Sequence, residues 1–131
     1  MEGVPSMNRL MMLLVVLLVL TVPLIAQEKM AKAEKEVTVK GEVVDVSCYL
    51  HMGAKGDGHK DCAVACAKNG APLGILTKDG TVYVSIVADE HKTNPNTMLM
   101  DHIAHQVEVK GYKNSKGGVN GIRITSVAMA K

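Results

Sequence analysis

Apolar and polar positions divide this 131-residue chain into two unlike parts. Leu10 to Ala26, "LMMLLVVLLVLTVPLIA", is almost wholly apolar, whereas from Val37 onward apolar residues come in short runs punctuated by glycine, asparagine and proline. The second part opens with "EVTVKGEVVDVSCYL", a β-branched run that predicts a strand continuing to Cys48 and Tyr49. Gly41 interrupts that run, and a glycine inside a strand marks a bulge or sharp bend. A glycine-rich loop, "HMGAKGDG", leads into "HKDCAVACAKNG", whose alanines predict a short helix stopped at Asn69-Gly70, with Pro72 just beyond. "PLGILT" and "TVYVSIV" predict two strands joined at Lys78-Asp79-Gly80, because Asp-Gly is a strong hairpin signal. "NPNTMLMDHIAH" predicts one or two helical turns, with Asn94 or Asn96 as N-cap and Met98, Leu99 and Ile103 as its apolar positions. "QVEVKGYKNS" and "GIRITSVAMA" alternate apolar with polar residues and predict the last two strands, with "KNSKGG" turning between them.

Without the cysteine-bearing helix, this order is three strands, a helix and two strands. It predicts a mainly β fold: a five-stranded OB-like barrel over residues 37–131, with a Cys/His helix inserted after the first strand and a second short helix before the fourth. A bent first strand suits such a barrel, because that strand serves both halves. A β-sandwich would call for about seven strands.

The N-terminal part carries different information. A short segment with Arg9, the apolar run, and a small residue at its end describe a secretory signal peptide over residues 1–26, with cleavage after Ala26. The same run is long enough to remain as an N-terminal membrane anchor, since about 17 apolar residues is the lower limit for a span. Both versions predict export to the periplasm or cell envelope, with membrane contact only through residues 10–26 if they stay. Residues 27–36, charged and without apolar periodicity, read as a flexible spacer.

Composition narrows the function. Beyond residue 26 the chain has 14 Lys and Arg against 12 Asp and Glu, so no strong basic face is expected. It has no Trp, no Phe and three Tyr, which leaves few platforms for stacking bases. Nucleic acid is therefore not an expected partner. Paired carboxylates, a Ser/His/Asp pattern and a phosphate-cradling loop are all missing, and an enzyme is not expected. A C-x-x-x-C spacing with no following histidine also sets haem attachment aside.

All three cysteines and two of the five histidines lie within "CYLHMGAKGDGHKDCAVACAKNG", residues 48–70. On a continuous helix each residue advances 100°, which places His59, Cys62 and Cys66 within one 60° arc. Cys48, at the end of the first strand, is positioned to meet that arc. Cys48, His59, Cys62 and Cys66 then form a Cys₃His set suited to zinc by ligand count or to copper by softness. Exported cysteines pair by default, so a structural Cys48 disulfide pinning the helix is a second reading. That version is a stapled interaction domain or an accessory subunit of an envelope complex. A thiol-redox protein is a third. Cys62, nearest the helix N-terminus, is the expected reactive thiol. His51 and Met52 stand nearby as loop residues, and Met98, Met100, His102 and His105 read as packing and surface-turn residues.

The segments "KGEVVDVSCYL", "GHKDCAVACAKNGAPLGILTKDGTVY" and "VEVKGY...GIRITSV" resemble a largely uncharacterised family of small exported bacterial OB-like proteins. In that family a G-E-x-x-D-x-x-C-Y strand precedes an H-x-x-C-A-x-x-C helix and a G-x-P-x-G-I-L strand. The resemblance covers nearly all of the chain beyond residue 26. It implies export, the barrel, and the grouping of Cys48, His59, Cys62 and Cys66, and it brings no activity with it.

Overall fold

The computed structural model describes residues 34–88 and 92–131. The segment expected as signal peptide or anchor, and most of the expected spacer, lie outside these residues. Among the described residues no helix is long and apolar enough to cross a membrane.

Five strands carry the fold: β1 (Val37–Asp45), β2 (Leu73–Leu76), β3 (Val82–Ile86), β4 (Gln106–Lys116) and β5 (Val119–Met129). They close into a ring in the order β1-β2-β3-β5-β4, with β4 pairing back onto β1. Every pairing is antiparallel except β3 with β5, where Val84 faces Gly121 and Ile86 faces Arg123. This is the mainly β, OB-like architecture that the strand pattern predicts.

β1 does what its glycine implies. Residues 37–42 pair with β4 and residues 42–45 pair with β2, so Glu42 is shared by both halves of the ring. Gly41 sits at that changeover. A Cβ there would lie 2.3 Å from the Leu76 carbonyl oxygen, so no larger residue fits without moving β2 away. The hairpin between β4 and β5 turns on Gly117 (φ 59°) and Gly118 (φ 81°), two consecutive positive-φ positions that match the right-handed twist of a tight hairpin.

The interior of the ring is filled by alternating residues of the strands: Val39 and Val43, Leu73 and Ile75, Val107 and Val109, Ile122 and Ile124. Leu99 and Ile103 plug the ring from the segment before β4. That segment is a turn ending in a single 3₁₀ turn, Met100–His102, and Met100 packs on the core while Met98 is exposed. Asn96 is buried inside it. Its Oδ1 accepts the Leu73 N–H (2.9 Å) and its Nδ2 donates to the Ala71 carbonyl (2.8 Å), tying the segment to the start of β2. The sequence suggested Asn94 or Asn96 as a cap for this segment; Asn94 Oδ1 accepts the Asn96 N–H (2.9 Å), and Asn96 is a buried clamp.

Between β1 and β2 the chain forms two helices, not one. β1 stops at Asp45, and α1 (Val46–Met52) follows, so Cys48 and Tyr49 are helical and the expected strand is four residues shorter. The reason is local. The Asp45 side chain accepts the backbone N–H groups of Ser47 (2.8 Å) and Cys48 (3.2 Å), which is an N-cap. Gly53 at φ 69° then ends α1 in the left-handed conformation. A 3₁₀ turn, Asp57–His59, leads into α2 (Lys60–Lys68), which Asn69 and Gly70 terminate as expected.

Candidate metal centre

The two short helices bring the cysteines together. Cys48 is the third residue of α1 and Cys62 the third residue of α2, with Cys66 one turn further along α2. Their ligand atoms all lie within 4.8 Å of one another, and this is the one cluster of metal-ligating side chains among the described residues. Cys62 is exposed, while Cys48 and Cys66 are half-buried. The trio is therefore open on the Cys62 side and closed on the other.

Alanine makes the approach possible. Ala63 and Ala67, four residues apart on α2, are buried in the core of the ring. Cys62 and Cys66 immediately precede them, so docking the alanine stripe on the strands places the cysteine stripe at the edge of that contact, toward α1.

All three cysteines are free thiols, and their pairs are not at disulfide distance. The expected Cys48 staple is not formed. What holds the insertion is its alanine stripe, the Asp45 cap, and the hydrogen bond from the Val46 N–H to the Pro72 carbonyl (3.0 Å).

His59 stands outside the sulfur trio. The helical phase that aligned it with Cys62 and Cys66 assumed an unbroken helix from residue 59. His59 instead ends the 3₁₀ turn and occupies the cap position of α2 with φ −111° and ψ 0°, so the 100° step does not run through it. Its Nε2 is buried without a hydrogen-bond partner, and it lines a small cavity together with Asp45 and Ala63. His51 and Met52, the neighbouring soft side chains, are exposed on α1.

Asp45 is the residue that the sequence reading undervalued. It is only 1% exposed, and while its Oδ1 caps α1, its buried Oδ2 has no hydrogen-bond partner. A buried, negatively charged carboxylate beside thiols favours their protonated form. Asp45 is the leading cause that pushes the Cys48 thiol up to about 12, with burial and the Cys66 sulfur adding to it. Cys66 is raised as well, first by burial, then by Asp45 and Cys62, while a hydrogen bond from Cys48 pulls the other way. The pairing of an N-cap aspartate with a cysteine three residues on, "DVSC", was the signal that could have placed it.

This arrangement offers three soft donors converging at one point, with the thiol of Cys48 raised chiefly by the buried Asp45 carboxylate and that of Cys66 chiefly by burial. A divalent or monovalent soft cation would displace the thiol protons and supply the positive charge that Asp45 lacks. Comparison of the chain with family models, curated proteins and solved structures finds no match in any of the three.

Proposed function

We propose that this protein is an exported module that binds a soft metal ion, with Cys48, Cys62 and Cys66 as thiolate ligands, and acts in the cell envelope as a carrier, sensor or accessory factor rather than as an enzyme. The observation that carries the reading is the convergence of the three sulfurs within 4.8 Å from two separate helices. Thiolates select copper(I) and zinc over the hard cations. Copper(I) is satisfied by the trio itself. Zinc takes four ligands, and His59, whose Nε2 is buried without a hydrogen-bond partner, is the candidate for the fourth. Export rests on the apolar run Leu10 to Ala26 and on the family resemblance.

A thiol-redox role is less favoured by the same site. Redox cysteines work as thiolates with lowered pKa, whereas Cys48 and Cys66 are both raised. The test is competition titration of the reduced full chain with copper(I) and zinc against chelators of known affinity. Each of Cys48→Ser, Cys62→Ser and Cys66→Ser is expected to weaken binding of the preferred metal by at least about tenfold, the lower end of what a lost ligand contact costs. His59→Ala is expected to weaken zinc and leave copper(I) unchanged. Equal affinity in the wild type and all three serine variants would overturn the proposal.

A further inference from the structure

Away from the sulfurs, a groove of about 1020 Å³ runs along the bent part of β1. Five lysines from five separate segments line it: Lys40 on β1, Lys55 in the loop between α1 and α2, Lys78 in the β2–β3 hairpin, Lys113 on β4 and Lys131 after β5. We propose that this groove is a binding site for an anionic oligosaccharide, a short glycan whose sugar rings carry carboxylate or phosphate groups.

The lysines of the groove outnumber its side-chain carboxylates. Its two side-chain carboxylates, Glu42 and Asp79, are committed to the backbone around them. Glu42 Oε1 accepts the Gly56 N–H, and Asp79 accepts the Thr77 hydroxyl and the Thr81 N–H. Those hydrogen bonds hold the Asp79 carboxyl below its usual range, so it stays an acceptor for its own turn. Lys40 is paired with Glu108 at 2.7 Å, but Lys55 and Lys78 have no ion-pair partner among the described residues. Lys113 is set in place: its Nζ donates to the Tyr83 hydroxyl (2.9 Å) and lies 4.2 Å from the centre of the Tyr83 ring. Three ammonium groups thus face one groove with their charge unspent.

The rest of the lining decides between anionic ligands. Bases would find one tyrosine face beside Tyr83, whose ring Lys113 already covers, and no Trp or Phe anywhere in the chain. Thr38, Thr77, Gln106 and Tyr49 instead present hydroxyl and amide groups between the lysines, which suits a hydroxyl-rich ligand with acidic substituents. A groove of this volume also exceeds what one small anion needs.

The test is titration of the full chain with a hexauronate, followed by amide chemical shifts and calorimetry, with a neutral dextran oligomer of the same length alongside. The expected result is saturable hexauronate binding with shifts at Thr38, Thr77 and Lys113, and little response to dextran. Lys55→Glu/Lys78→Glu is expected to weaken it by about tenfold or more, and raising salt from about 50 mM to about 500 mM to weaken it similarly. Lys116→Glu, a charge reversal outside the groove, is expected to leave it within about twofold, as distant surface changes do. The proposal fails if hexauronate does not saturate, if dextran binds equally well, or if a polyglutamate peptide or single-stranded DNA of matched charge binds more tightly. It is independent of the metal, so metal-free protein is expected to bind equally.

Discussion

Replacing Asp45 by asparagine removes a negative charge that raises the Cys48 thiol while keeping a side-chain oxygen beside it. Asparagine keeps a side-chain oxygen for the N–H groups of Ser47 and Cys48, so α1 retains its cap while the negative charge goes. The hydrogen bond to Asp45 is the largest of the causes that raise Cys48 from 9.0 to about 12, followed by burial and then by the Asp45 charge. If all of that rise were relieved, the thiolate fraction at pH 8 would grow by about 10³-fold, from roughly 10⁻⁴ to roughly 10⁻¹. Nucleophilicity falls as the pKa falls, by about half a decade per unit, so the net gain in alkylation rate is at most about 30-fold. Burial and a hydrogen bond to the side-chain oxygen contribute part of the rise and remain in the variant, so the expected gain lies between a few-fold and that ceiling. The assay is iodoacetamide alkylation of the metal-free, reduced full chain at pH 8, with each cysteine followed by peptide mass spectrometry and folding checked by circular dichroism. Cys48 is expected to speed up well beyond exposed Cys62. A folded variant in which Cys48 alkylates no faster than in the wild type would refute the assignment of Asp45 as the charge that holds the thiol.

Three further outcomes follow from the same structure. Because the Cys48 pKa is higher in the fold than the ordinary 9.0, its stabilising contribution is fully present below pH 9 and is lost as the pH rises from 9 toward about 12; thermal melts of metal-free protein are expected to fall across that window, with a shallower fall in Asp45→Asn, and a rise there would contradict the sign. Gly41→Ala is expected to cost about 3 kcal/mol by urea denaturation, at the upper end for overpacking, because its Cβ would meet backbone, not a side chain that can swing aside. Asn96→Ala is expected to cost about 2 kcal/mol in the same assay, since it leaves the Leu73 N–H and the Ala71 carbonyl without their partner.

The strands were legible because their side-chain period is written directly in the sequence: Val107/Val109 and Ile122/Ile124 alternate in the chain as they do across the sheet. Gly41 was legible too, since a glycine in a β-branched run has few other uses. The insertion was harder to read. "VVDVSCYL" has strand composition, and only the Asp45 cap and Gly53 beyond it separate a helix from a longer strand. Valine at 46 tolerates a helix once the cap has supplied two hydrogen bonds, so local bonding overrode β propensity. The three cysteines converge as their clustering suggested. The helical phase used for His59 does not run through it, because sequence gives no sign that a 3₁₀ turn ends on it. The buried roles of Asp45 and Asn96 were not legible for a shared reason: burial of a polar side chain depends on what folds over it, and that is tertiary information.

The central claim is that three sulfurs from two helices form one soft-metal site. X-ray absorption at the metal edge of the loaded full chain counts those sulfurs directly, on copper(I) and on zinc in turn. The account predicts three sulfur neighbours on the preferred metal, falling to two in each single Cys→Ser variant. One sulfur or none, or a count of three that survives the loss of any one cysteine, would contradict it.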